Sequence, residues 1–214
     1  MEYRICERCG SAFQKGEECR AAECRRWRQK TKYFSLDENK IKLRRKIGIP
    51  KRYLNCNTKD FPGHDFSLGM NGVFLHGKIN TGKTHWATIA ISEWAWTKQT
   101  TLMAAFVTVR DFILEIKEQY SQKESEYKIL KIFSGYGALV LDDLGTEYWN
   151  DWSKTIILSL IGRRYENCLP TIITSNLSLE EIFKREPRIG SRISSYRQIH
   201  MKSKVDWRKN ERDG

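Results

Sequence analysis

From Gly72 onward the chain alternates short apolar runs with longer stretches whose apolar residues recur at helical spacing. "GVFLHG" (72–77), "TLMAAFV" (101–107), "ALVLDD" (138–143) and "TIITSN" (171–176) are the short runs. Their near-continuous aliphatic character predicts strands buried on both faces. Between them lies "TGKTHWATIAISEWAW", in which Ala87, Ile91 and Trp94 or Ala95 fall on one helical face. "TVRDFILEIKEQY" places Phe112, Ile113 and Ile116 together, with Thr108 able to cap the start. "EYKILKIF" (126–133), "DWSKTIILSLIGRRYEN" (151–167) and "SLEEIFK" (178–184, capped by Ser178) complete the helices. Strand–helix alternation of this kind predicts an α/β fold, a parallel sheet with helices on both faces. Upstream, "SLDENKIKLRRKIGIPK" (35–51) is polar and basic and predicts a helix or linker ending near Pro50. Residues 1–34 show almost no apolar periodicity and read as a separate small module. The expected organisation is therefore module 1–34, linker or helix 35–48 and main domain 49–214.

Composition agrees with a folded domain and a small appendage: 214 residues, 40% hydrophobic and 30% charged. No apolar run reaches the roughly 18 residues of a membrane span, and the start "MEYRICERCG" lacks the pattern of a signal peptide. The reading is a cytoplasmic protein with no membrane contact. The formal charge of +12 is uneven: residues 1–52 carry 16 Lys/Arg against 7 Asp/Glu, and residues 183–214 carry 10 against 4. Basic ends around a near-neutral centre fit a nucleic acid or acidic partner, or simple solubility.

The first chemical motif is "GKINTGKTH" (77–85), which fits G-x-x-x-x-G-K-[ST]. It sits between an expected strand and an expected helix, the setting in which such a loop cradles phosphates. Gly77 lets the chain turn, and Gly82 lets backbone approach the phosphates. The loop amides, including those of Asn80 and Thr81, point at phosphate oxygens. Lys83 reaches the β- and γ-phosphates, and Thr84 offers its hydroxyl to Mg2+. "ALVLDDLG" brings Asp142 and Asp143 to the same sheet edge, Asp142 for Mg2+ and Asp143 to orient or deprotonate the attacking water. Glu147 is the alternative base. In "TIITSN", Asn176 can aim an amide at the γ-phosphate or the water, or Ser175 and Asn176 can cap the next helix.

Four of the six cysteines cluster as C-x2-C-x9-C-x4-C, at Cys6, Cys9, Cys19 and Cys24. Four thiolates suit tetrahedral Zn2+, and a segment without an apolar core would need the metal to fold. After it come Arg25, Arg26, Arg28, Lys30 and Lys32, interleaved with Trp27 and Tyr33. Such a helix can grip nucleic acid or dock on a protein. Cys56 and Cys168 read as buried small residues, and the seven tryptophans as mostly core.

"IGIPKRYLNCNTKDF", "GKINTGKTHWATIAI", "FVTVRDFILEI", "LVLDDLGTEYWNDW", "RRYENCLPTIITSNLSLEEI", "RIGSRI" and "VDWR" follow in this order over residues 45–210. Together they resemble bacterial and phage replicative-helicase loaders of the DnaC/DnaI kind, and the related IstB transposition helpers. The resemblance implies a P-loop AAA+ ATPase with ATP, Mg2+ and Zn2+. It implies loading of a DnaB-type replicative helicase on single-stranded DNA, and self-association. By the same resemblance Asp142 and Asp143 form the Walker B pair, Asn176 is sensor 1 and Arg208 is sensor 2. Arg192, or alternatively Arg188, is the arginine finger supplied in trans. His85 matches the "GKTH" of loaders, and Ile49 and Tyr53 would flank the adenine or pack in the core. Two departures stand out. Asn80 occupies a position where loaders usually show glycine, though Asn tolerates positive φ. Only 38 residues follow Asn176, which implies a minimal C-terminal lid. The alternatives are a transposition helper, a nucleotide-gated DNA-binding adaptor with little turnover, and a small-molecule kinase, for which no substrate lid is visible.

Overall fold

The computed structural model describes residues 3–5, 12–14, 37–69, 72–98, 104–121, 126–145 and 150–202. The chain divides into two compact units, Met1–Leu43 and Arg44–Gly214. In the smaller unit, strands β1 (Tyr3–Ile5) and β2 (Ala12–Gln14) pair antiparallel, with Ile5 opposite Ala12. Cys6, Cys9, Cys19 and Cys24, and the basic segment after them, lie outside the described residues. Helix α1 (Asp37–Ile47) crosses the division and stops before Gly48, whose φ is +90°. Its Arg44 is buried in the larger unit, donating to Leu54 O (2.6 Å) and Ser92 Oγ (3.1 Å).

The larger unit runs β3 (Val73–His76), α2 (Lys83–Thr97), β4 (Ala104–Thr108), α3 (Val109–Ser121), α4 (Glu126–Gly135) and β5 (Ala138–Leu144). It continues α5 (Asp151–Glu166), β6 (Thr171–Ser175), α6 (Leu179–Arg185), α7 (Pro187–Ile193) and β7 (Arg197–His200). The five strands from β3 onward form one parallel sheet in the order β4-β5-β6-β3-β7. Local chemistry sets the helix starts. Thr108 Oγ1 accepts from Asp111 N (3.0 Å), and Asn150 Oδ1 accepts from Ser153 N (2.8 Å). Ser178 and Glu181 close a reciprocal capping box.

Side chains alternate across the sheet. Phe74, Leu139, Leu141 and Ile173 join one core with Phe112 and Ile116 of α3, Phe133 of α4 and Leu160 of α5. Val73, Leu75, Val140 and Ile172, the alternate positions, are equally buried on the opposite side. Helix α2 packs on β4, β5 and β6. It buries Trp86, Ala87, Ile89, Ala90, Ile91 and Ala95, so its apolar face is wider than one stripe, and Ala95 rather than Trp94 is the inward residue. Among the described residues no helix is long and apolar enough to cross a membrane.

Several expectations change. Cys56 is buried, but Cys168 is exposed. It follows α5 with φ +50°, a turn position at the surface rather than a core slot. Of the described tryptophans only Trp86 is fully buried, while Trp94, Trp96 and Trp152 are half-buried. Helix α7 and strand β7 were not expected from periodicity. β7 is a short edge strand with alternating half-buried and exposed residues, which leaves little apolar signal.

Arg164, 0% exposed, holds α4 to the start of β6. Its guanidinium donates to Phe133 O (3.1 Å), Tyr136 O (2.6 Å), Pro170 O (2.9 Å) and Thr171 Oγ1 (2.9 Å). Burial pushes its pKa down to about 10, with Tyr196 acting in the opposite direction.

Candidate functional site

Strands β3, β5 and β6 are neighbours in the parallel sheet, so their C-terminal ends meet at one edge. A cavity of about 250 Å3 opens there. Its wall joins Asn80, Thr81, Gly82, Lys83, Thr84 and His85 with Asp142 and Asp143 from the end of β5, and with Asn176 just past β6. The single helical turn Lys51–Tyr53 adds Arg52 and Tyr53, and the loop adds Ile79. Sheet order thus gathers residues that lie far apart in sequence.

The loop between β3 and α2 is built on two left-handed residues, Asn80 (φ 63°) and Gly82 (φ 86°). Asn80 adopts the conformation expected of it in place of glycine. Gly77 lies outside the cavity wall. A Cβ there would stand 2.4 Å from Met201 O, so glycine is needed where the chain beyond β7 closes on the loop. Met201 N donates to His76 O (2.8 Å) at the same crossing. Thr81 Oγ1 donates to Lys78 O (2.9 Å) and ties the loop across.

The buried Lys83 ammonium donates to Gly77 O (2.9 Å), Lys78 O (2.8 Å) and Asn176 Oδ1 (2.9 Å). Lys83 and Asn176, 93 positions apart, are in direct contact. Asn176 does not cap the next helix, since Ser178 does. Ser175 Oγ instead donates to Leu144 O (2.6 Å) and accepts from Leu177 N (3.0 Å).

Thr84 Oγ1 meets both carboxylate oxygens of Asp142, at 3.0 and 3.1 Å. Asp142 is 4% exposed. Burial and then the neighbouring Asp143 push its pKa up to about 6, against hydrogen bonds from Thr174 and Thr84 and the charge of Lys83. Asp143 lies on the cavity wall with φ +61°, where the β5–β6 register shifts between Leu141 and Leu144. Thr174 Oγ1 donates to Asp142 Oδ1 (2.6 Å) and accepts from Asp143 N (2.9 Å). No motif marks Thr174, an inward threonine in an otherwise mostly apolar strand.

His85 Nε2 lies 2.7 Å from Asp60 Oδ2, which also accepts from Asn57 N (2.7 Å). The rings of Tyr53 and Phe61 meet His85 edge-on. His85 thus pins the turn at Thr58–Asp60 beside the start of α2. The capping-box spacing of "NTKD" (57–60) is the one sequence signal for this turn. Tyr53 lines the cavity, as expected of a wall, whereas Ile49 is buried and absent from the lining.

Arg192 does not line its own chain's cavity. It lies half-buried on α7, with Nη1 donating to Arg188 O (3.2 Å). Its guanidinium packs over Gly162 of α5, where a Cβ would stand 3.2 Å from Nε, and that Nε is buried without a hydrogen-bond partner. Arg188 is exposed. Glu147 and Arg208 lie outside the described residues; of the stretch after Asn176 expected to form a minimal lid, residues 177–202 carry α6, α7 and β7.

These groups fit a nucleoside triphosphate with Mg2+. One ammonium stands at the N-terminus of a 15-residue helix, beside a hydroxyl and a carboxylate already in contact. Among the described residues no set of three or more His, Cys, Asp and Glu suits a metal ion. A hydroxyl–carboxylate pair suits Mg2+, which takes one or two protein oxygens and completes its shell with phosphate and water.

Comparison with known proteins gives a consistent picture. The model of the family "IstB-like ATP binding protein" matches residues 18–186. The replicative helicase loader DnaC of Escherichia coli (strain K12) is 23% identical over 193 residues, covering 81% of this chain and 78% of that protein. Among solved structures, the DnaC helicase loader aligns with a TM-score of 0.60 at 24% identity, over 72% of this chain and all (100%) of the other. DnaI aligns with a TM-score of 0.58 at 22% identity, over 72% and 94%. At these identities the structural likeness speaks for the fold.

Proposed function

Since the chain belongs to the family of IstB-like ATP-binding proteins, and so binds ATP, we propose that it hydrolyses ATP to load a DnaB-type ring helicase onto single-stranded DNA during replication initiation. The observation that carries the ATPase reading is the contact of Lys83 Nζ with Asn176 Oδ1, on a cavity wall that also holds Thr84, Asp142 and Asp143. The client follows from relatives named as replicative helicase loaders.

In this reading the amides of Asn80, Thr81 and Gly82, with Lys83, hold the triphosphate, and Thr84 and Asp142 hold Mg2+. The ion supplies positive charge beside the phosphates. Asp143 orients a water and takes its proton as the water oxygen bonds to the γ-phosphorus. The bond from that phosphorus to the bridging oxygen breaks, and ADP and phosphate leave. Asn176 fixes the γ-phosphate side of the cavity. His85, held by Asp60, packs against Tyr53 on the base side. Arg192 and Arg208 supply positive charge to developing phosphoryl charge, Arg192 to a neighbour's nucleotide. The position of Arg192 off its own cavity supports supply in trans, which makes turnover depend on assembly. ATP binding then favours assembly and DNA grip, and hydrolysis releases the loader.

Cys6, Cys9, Cys19 and Cys24 are proposed zinc ligands, on their spacing and on the pairing of β1 with β2 around the first two. A zinc assay after Cys19→Ser should show the metal lost, and unchanged content would refute the site. The loader reading is tested by mixing the chain with the replicative helicase of the same genome and ATP. A complex on size exclusion and transfer of helicase to a single-stranded circle are expected. Absence of both would sink it.

A further inference from the structure

In a regular parallel pair the amide of Asp143 would bond to β6. Here the register slips by one residue between Leu141 and Leu144. Asp143 is left at φ +61°, a conformation disfavoured for a residue with a Cβ. Its amide goes to Thr174 Oγ1 at 2.9 Å. A hydroxyl has a single proton, and since Thr174 accepts there, its own proton points to Asp142 Oδ1 at 2.6 Å. Thr174 is 0% exposed, so water cannot stand in for it. Valine would match its shape on a strand whose preceding residues are Ile172 and Ile173. The other two polar side chains of β6 are engaged elsewhere: Thr171 with Arg164, Ser175 with Leu144 O.

We propose that Thr174 is a positioning residue for hydrolysis, whose one hydroxyl fixes both the kinked backbone of Asp143 and the rotamer of Asp142. Accepting from one residue and donating to the other, it holds the two carboxylates in a single arrangement at the mouth of β5. Thr84 cannot replace it, because Thr84 contacts only the Asp142 side chain in this pair. The inference rests on the reading of Asp142 and Asp143 as the hydrolytic pair.

The test compares full-length Thr174→Val, Thr174→Ser and Asp143→Asn in three measurements. Binding of a fluorescent ATP analogue without Mg2+ should stay near wild type for the two Thr174 variants, since the loop and Lys83 are untouched. Hydrolysis under single-turnover conditions, with chain in excess, should fall roughly 10- to 100-fold in Thr174→Val, the loss of a hydrogen bond to a charged group. Thr174→Ser should restore it. In nucleotide-free protein the Asp143 amide should exchange with solvent markedly faster in Thr174→Val and not in Thr174→Ser. Wild-type hydrolysis and exchange in Thr174→Val, with Asp143→Asn inactive, would overturn the inference. A fully active Asp143→Asn would instead overturn the reading of the pair, leaving the exchange result to judge Thr174. Should Thr174→Val not fold, Thr174→Ala removes the same hydroxyl and takes its place.

Discussion

Asp142→Asn should make the nucleotide-free protein more stable at neutral pH and leave it unchanged in acid. Burial and Asp143 raise the carboxyl of Asp142 from its ordinary 3.8 to about 6. A raised acid in the folded state means that the fold binds its proton more tightly than the unfolded chain does. Its stabilising share is therefore complete below about pH 4 and is lost as pH climbs through about 6. At about 1.36 kcal/mol per pKa unit, ionising Asp142 costs about 3 kcal/mol by pH 7.5. Asparagine keeps the shape and accepts from Thr174 without the charge. The assay is urea unfolding of both proteins in EDTA at pH 4.5 and 7.5, reading the difference between them so that other titrating groups cancel. Because the unfolded carboxyl titrates near 3.8, about 1 kcal/mol is already lost at pH 4.5, so the variant should gain about 2 kcal/mol relative to wild type between the two, or roughly 4–8 °C in Tm for a chain of this size. It should also lose Mg2+-dependent nucleotide affinity. Parallel pH profiles would show that Asp142 ionises freely, and the account of its environment would be wrong.

Arg164→Met should destabilise by about 3–5 kcal/mol, because it strips the buried carbonyls of Phe133, Tyr136 and Pro170 of their donor; urea unfolding measures it. Ser178→Ala removes the reciprocal cap of α6 and should cost about 1 kcal/mol, with nucleotide affinity unchanged by titration. Gly162→Ala should raise or preserve Tm, since alanine is favoured over glycine in a helix by about 1 kcal/mol. The same change pushes a methyl against Arg192, so DNA-stimulated hydrolysis should fall while Tm does not. Intact hydrolysis in that variant would count against Arg192 acting from this position.

The four strands β3 to β6 and their helices were legible because each announces itself locally. "ALVL" and "TII" open their strands with unbroken β-favouring, mostly aliphatic residues, and Thr108 and Ser178 cap helices at the positions their residue types favour. Asn80 was legible for the same reason: few residues tolerate the left-handed turn that the loop requires. The strand β7 was not. Its residues "RQIH" are polar or half-exposed, and only pairing with β3 makes them a strand. The exposure of Cys168 is not legible, because a small residue after a helix can face inward or outward, and the turn at φ +50° faces it outward.

The sequence by itself determined the strand–helix alternation, the phosphate loop with Lys83 and Thr84, and the acid pair at the end of a strand. All of these depend on neighbours within a few residues. The tertiary structure alone decided that Lys83 meets Asn176, that Thr174 bridges Asp142 and Asp143, that His85 pins Asp60, and that Arg192 rests on Gly162 away from its own cavity. These contacts join residues 25 or more positions apart, with Arg192 on Gly162 and the Thr174 bridge reaching across roughly 30. The Lys83–Asn176 contact follows from strand order and the Thr174 bridge from a one-residue slip in the β5–β6 register, whereas the other two depend on how helices and turns pack. A slip of one residue reverses which face a strand side chain takes, and no local periodicity encodes where it falls.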